Sequence, residues 1–354
     1  MTDQDRWRQI EGLFQAASEL ALPEREAYLA TATGDPSIRA EVEALLAASV
    51  EGDGFLRDPI QHELAQSAHK VAELGERVGR YHLIRQLGAG GMGLVYLARD
   101  DQGVDGTMVA IKFLRTDLGF VDGERRFRAE QRILSGLRHP NIATLLDAGS
   151  TDRGIPYVVM EYVPGSPIDE YCESQWLTLE QRIDLMITVS EAVHYANERR
   201  VVHRDLKPGN VMVSRGGTPK LLDFGIAKLL DAEGVGARTT RTGMVMLTPS
   251  YASPEQILGG DITAASDVYS LAVVSYELVT GKRPYTLALG TPVETALQME
   301  RLTPTSPTTH RPDLSPALER ILLTGLATHT ARRYPSAEAY ARDLRRWRAG
   351  ELGQ

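Results

Sequence analysis

Cysteine is nearly absent from this 354-residue chain: Cys172 stands alone, so no disulfide can form within it, as fits a reducing compartment. A small half-buried side chain is the plain expectation for it. No apolar run approaches the roughly 20 residues needed to span a bilayer. The first residues, Met1-Thr2-Asp3-Gln4-Asp5, are acidic where a signal peptide would be basic and then apolar. Positive charge is not in excess either. With 39 Lys and Arg against 47 Asp and Glu the formal net charge is −8, which argues against general nucleic-acid binding. Internal repeats and low-complexity tracts are lacking. What remains is an ordinary globular composition, 42% hydrophobic and 24% charged, long enough for two or three domains. These absences predict a cytoplasmic protein with no membrane span in this chain and no nucleic-acid partner.

The chain opens with helical periodicity. Trp7, Ile10, Leu13, Phe14 and Ala17 fall on one face, and Pro23 stands where a second helix would begin. Asp35 caps and Pro36 starts a third helix carrying Ile38, Val42, Leu45 and Leu46. Residues 1–56 are therefore expected as a small all-α segment, and the polar, weakly periodic residues 57–79 as a linker. Alternation typical of a strand begins at Tyr81.

Chemistry concentrates further on, in Val201-Val202-His203-Arg204-Asp205-Leu206-Lys207-Pro208-Gly209-Asn210. Two apolar residues lead into a turn holding an acid, two bases, an imidazole and an amide. A second acid follows in Asp223-Phe224-Gly225, after the apolar pair Leu221-Leu222. One carboxylate beside a lysine suits taking a hydroxyl proton. A second carboxylate with an amide oxygen suits Mg²⁺, which prefers oxygen donors and phosphate company. Upstream, Gly88-Ala89-Gly90-Gly91-Met92-Gly93 would let backbone N–H groups approach phosphate oxygens. It lies between two strands, with Val95-Tyr96-Leu97-Ala98 following rather than a helix, so a dinucleotide-binding turn is disfavoured. Lys112 in Val109-Ala110-Ile111-Lys112 is costly to bury unless paired.

Together these runs resemble the glycine-rich loop, the strand lysine, the H-R-D-L-x-x-x-N catalytic loop and the D-F-G motif of the eukaryotic-type (Hanks-type) protein kinases, in the form found in bacterial Ser/Thr kinases. The resemblance runs from residue 81 to about 348. It implies an α+β, bilobal fold: a small antiparallel β-sheet lobe with one main helix (80–163), a larger helical lobe (164–349), and a short tail (350–354). It also implies ATP and Mg²⁺, or Mn²⁺ in its place, and transfer of the γ-phosphoryl group to Ser/Thr hydroxyls of a protein substrate. Gly90, Gly91 and Gly93 would cover the phosphates. Lys112, held by Glu130, would neutralise them; Asp223 and Asn210 would hold the metal; Asp205 would take the proton and Lys207 would stabilise the moving phosphoryl group. The nucleotide pocket would be completed by Leu87, Gly88, Ala89, Met92, Val95, Ala110, Met160 and Met212, with the backbone of Glu161 and Val163 facing adenine. His203 packing under Phe224, Asp267 bonded to the catalytic-loop backbone, and Glu255 paired with Arg333 would be structural.

Regulation follows from the same resemblance. A phosphothreonine could pair with Arg204 and order the segment after Asp223, with Lys228 helping to form the basic pocket. Thr239, Thr240 and Thr242 are the candidate acceptors, Thr240 and Thr242 by their spacing from Ser253-Pro254-Glu255, through trans-autophosphorylation in a homodimer. Ser253 replaces the alanine, and Leu247 the glycine before Thr248, of the family pattern, so the shape of the substrate-facing loop departs from it. Two other readings share parts of this pattern. A catalytically inactive pseudokinase scaffold would ordinarily lack Lys112, Asp205, Asn210 or Asp223, and all are present. A small-molecule kinase of related fold would lack the Ser-Pro-Glu-closed segment and Lys207.

Overall fold

The computed structural model describes residues 75–90, 93–103, 106–114, 136–224, 250–285 and 303–352, together with residues 13, 28, 29, 32, 33, 35, 38, 39 and 42. The chain divides into two compact units, Met1–Ala72 and Glu73–Gln354.

In the first unit Leu13, Leu29, Ile38 and Val42 are buried together with Tyr28 against them, all in helical backbone. The Asp35 carbonyl accepts the Arg39 N–H at 3.0 Å. That is the first helical bond, which a residue at the N-cap should make.

The second unit begins earlier than its alternation pattern suggests. Residues 77–78, expected in the linker, form an edge strand, β1 (Arg77–Val78), paired with β2 (Tyr81–Gly90). Two residues are too few to show a period. β3 (Gly93–Asp100), β4 (Met108–Leu114), β5 (Leu145–Ser150) and β6 (Pro156–Glu161) complete an antiparallel sheet in the order β1-β2-β3-β4-β6-β5. A second sheet, β7 (Gly165–Pro167), β8 (Val211–Ser214) and β9 (Pro219–Leu221), lies in sequence beside helices α1 (Ile168–Ser174) and α2 (Leu179–Glu198). Then follow α3 (Pro254–Leu258), α4 (Ala264–Thr280), α5 (Pro307–His310), α6 (Pro316–Gly325) and α7 (Ala337–Arg348).

Helix α2 starts at a reciprocal cap. Thr178 N–H donates to Gln181 Oε1 at 2.8 Å and Gln181 N–H donates back to Thr178 Oγ1. Helix α4 is apolar almost all round, the pattern of a helix buried on every side, and packs with α2, α6 and α7 into one core. Cys172 is fully buried in that core rather than half-buried, and burial pushes its thiol up to about 11. Among the described residues no helix is long and apolar enough to cross a membrane.

Candidate active site

Sheet register gathers the first part of the site. Val95 pairs with Lys112 and Lys112 with Val158; Leu97 pairs with Ala110 and Ala110 with Met160. Side chains two apart share a face, so Val95, Ala110, Lys112 and Met160 line the same side of the sheet. Leu87 is the extra residue at a register shift in β2 and packs against the core. The hairpin β2–β3 closes with Gly90 opposite Gly93. Its outer glycines differ. A Cβ on Gly88 would meet nothing within 4 Å, whereas at Gly93, with φ +134°, it would sit 1.8 Å from the Phe113 carbonyl oxygen. Gly93 is thus required by strand packing, whatever approaches the turn.

The loop between α2 and β8 is fixed from beneath by one acid. Asp267 is buried in α4, and its carboxylate accepts the His203 N–H at 2.9 Å, the Arg204 N–H at 3.1 Å and Asn197 Nδ2 at 2.9 Å. Burial pushes its pKa up, while His203 and the N–H donors pull it down. Arg204 is left-handed, φ +65°, and its carbonyl accepts Gln256 Nε2 at 2.8 Å. His203 Nε2 lies 2.8 Å from the Leu222 carbonyl, which can only accept, so Nε2 carries the hydrogen. Nδ1 then accepts the Asp205 N–H at 3.4 Å. Burial lowers the imidazole pKa, against the pull of Asp267 and Asp205, and the ring packs at a tilt against Phe224, centroids 4.7 Å apart.

Above this floor the polar groups converge. Asn210 Nδ2 donates to the Asp205 carbonyl at 2.6 Å and to Asp205 Oδ2 at 2.9 Å; Lys207 Nζ stands 3.2 Å from the same Oδ2. The Leu222 N–H donates to the Asn210 carbonyl at 2.8 Å, bringing the strand that ends in Asp223 against this loop. Asp223, left-handed at φ +50°, meets Lys112 Nζ through Oδ2 at 2.8 Å. Further out, Arg333 makes a bidentate pair with Glu255, 2.7 and 2.8 Å. Burial would raise the Glu255 pKa, but the Arg333 and Ser266 hydrogen bonds and the Arg333 charge carry it below the ordinary carboxylate value.

Some expected site residues fall elsewhere. Gly91, Met92, Glu130, Lys228, Thr239, Thr240 and Thr242 lie outside the described residues, as does the side chain of Ala89. Glu161 donates its N–H to the Thr144 carbonyl at 2.9 Å, so only its carbonyl, with the Val163 N–H, could face adenine. Met212 is half-buried in β8. Asn197, Gln256 and Lys220 were not foreseen. Asn197 interrupts the apolar face of α2 four residues before Val201, a signal that a buried polar partner is needed.

Residues 81–343 match the family described as "Protein kinase domain". The serine/threonine-protein kinase PknA of Mycobacterium tuberculosis is 39% identical over 281 residues, 77% of this chain and 62% of PknA. The serine/threonine-protein kinase pkn3 of Myxococcus xanthus is 38% identical over 275 residues, 75% of this chain and 49% of pkn3. The chain thus matches less than two thirds of either relative's length. The solved kinase domain of M. tuberculosis PknI superposes with a TM-score of 0.61 at 28% identity, covering 79% of this chain and all of that one. The match spans most of the chain and includes every converging group described above, and the chain belongs to the protein kinase family, alongside bacterial serine/threonine-protein kinases.

Proposed function

We propose that the chain is a cytoplasmic Ser/Thr protein kinase that uses ATP with Mg²⁺, or Mn²⁺, and acts on a protein substrate. The observation that carries this is the convergence of Asp205, Lys207 and Asn210 with Asp223 and Lys112. The donor chemistry fits the metal. Asn210 commits its Nδ2 to Asp205, so its oxygen is what remains to offer, and Asp223 adds a carboxylate. Among the described residues no three His, Cys, Asp or Glu side chains form a metal cage of their own. A pair of oxygen donors sharing the ion with phosphate is the usual Mg²⁺ arrangement. The open space at Gly88 fits close approach of a phosphate to backbone.

When bound, ATP with its metal supplies the γ-phosphoryl group and ADP as leaving group. Lys112 neutralises the phosphates, with Glu130 as its second partner. Asp205, held through Oδ2 by Asn210 and Lys207, orients the acceptor hydroxyl and takes its proton as the new O–P bond forms. Lys207 compensates charge on the moving group. His203 cannot share this task, because its Nε2 hydrogen is committed to Leu222. We further assign Thr240 and Thr242 as autophosphorylation sites whose phosphates Arg204 and Lys228 read, reached in trans within a homodimer, and residues 80–163 and 164–349 as the two lobes.

Labelled ATP with Mg²⁺ and a generic basic protein, against an Asp205→Ala control, tests the proposal. Label on protein, lost in the control, is expected. Label on small molecules alone would indicate a small-molecule kinase, and no label a scaffold. Mass spectrometry of the purified chain, with and without phosphatase, checks Thr240 and Thr242; full activity and no phosphate loss in the double Thr→Ala variant would remove that assignment.

A further inference from the structure

Glu161, the last residue of β6, is held on three sides. Its N–H donates to the Thr144 carbonyl at 2.9 Å, its Oε2 accepts the Thr144 N–H at 3.2 Å, and its Oε1 meets Lys220 Nζ at 2.6 Å. The first two contacts close the end of the β5–β6 ladder, one through the backbone and one through the Glu161 side chain. The third comes from another sheet. Lys220 lies in β9, three residues before Asp223, and its cross-strand partner in β8 is Met212. Directly opposed residues share a face with Cβ atoms about 5 Å apart, so Lys220 stands beside Met212. The strand that carries it is rigid: Leu221 N–H donates to the Asn141 carbonyl, the Ala143 N–H donates to the Leu221 carbonyl, and Asn141 Nδ2 bonds the Pro219 carbonyl at 2.8 Å.

We infer that Lys220 is a positioning residue for the nucleotide. Its ammonium fixes Glu161, and with it the backbone edge that would receive adenine, to the same strand that delivers Asp223. The two ends of the nucleotide site, base and metal, are thereby set by one rigid element. The pair is only partly exposed, 23% at Lys220 and 34% at Glu161, so water screens it incompletely. The inference rests on the protein kinase function proposed above.

Steady-state kinetics on the full chain, varying ATP and then the protein substrate, test it. Lys220→Met keeps the aliphatic stem and removes the charge. Its KM for ATP should rise about fivefold, with kcat within about twofold and the KM for protein substrate unmoved, because only base positioning is lost. Lys220→Arg should restore most of the loss. Glu161→Gln should match Lys220→Met, and the double variant should be no worse than either, as expected of one shared contact. Unchanged ATP KM in both single variants, additive losses, or a fall confined to kcat would overturn the assignment. Should Lys220→Met not fold, Glu161→Gln and Lys220→Arg carry the same comparison. Calorimetric titration of the wild type with ATP and Mg²⁺ separates the two levels. A wild type that binds no ATP overturns the kinase proposal and this inference together; one that binds it equally well as both single variants overturns only the latter.

Discussion

Arg333 commits all its N–H donors inside the protein, to Glu255 and to the Ala265, Ala327 and Thr328 carbonyls, whereas Lys112 meets Asp223 through one oxygen and leaves that side chain 20% exposed. Both are cation–carboxylate pairs in a folded interior. The first is saturated: a planar fork against a planar carboxylate, its guanidinium wholly excluded from water. Nothing can enter without breaking it. The second joins two groups to which the proposed function assigns a ligand each, so its value there would lie in being exchangeable. An ion pair that serves stability is closed by geometry, and one that serves chemistry is left open on one side.

Breaking the closed pair should have the largest effect. Arg333→Ala strands Glu255 in a buried position and should cost about 3–5 kcal/mol of folding stability, read as a lower urea midpoint. Arg333→Lys should recover less than half, since an ammonium cannot match the fork. Breaking the open pair should move a different observable. Lys112→Met should lower kcat/KM by about 10²–10³ while shifting stability by less than about 1 kcal/mol; a large loss of stability there would erase the distinction. Acid sharpens it further. Because the Glu255 pKa is depressed in the folded state, its contribution is present above the ordinary carboxylate value of about 4.3 and is lost as pH falls through the folded value. Stability curves of wild type and Glu255→Gln, recorded by chemical melts from pH 7 downward, should therefore draw together once the pH falls below the ordinary carboxylate value. The smallest effect belongs to backbone strain. Arg200 ends α2 at φ +61°, the place of a C-terminal glycine, and Arg200→Gly should gain roughly 0.5–1 kcal/mol. The same change at Arg204, equally left-handed, keeps its backbone bonds to Asp267 and Gln256 but removes the guanidinium assigned to the phosphothreonines, so there any gain in stability should come with lower activity.

Local spacing made the loop before β8 legible, because Asp205, Lys207 and Asn210 converge within one short turn. Lys220 was illegible for the opposite reason: its meaning depends on the register of β8 against β9 and on a residue 59 positions away. Gly93 was legible as a glycine but not for its cause, since Phe113, whose carbonyl it must clear, sits in the next strand. The edge strand β1 has no sequence signature because two residues carry no period. Asp267 lay between these cases, since an acid in an apolar helix announces that it needs partners without naming them.

One residue, Leu222, links the two acidic motifs. The Leu222 N–H is held by Asn210 and its carbonyl by His203, so the peptide planes on either side of Leu222 are each anchored by one hydrogen bond. Any swing of Phe224 must then be produced by torsions at Asp223 and beyond. The residue that would hold the metal is also the first free swivel of the segment, and it already sits at a positive φ. A ligand that fixes the Asp223 carboxylate would restrain that swivel, so under the proposed function nucleotide binding would bear directly on the torsions of Asp223.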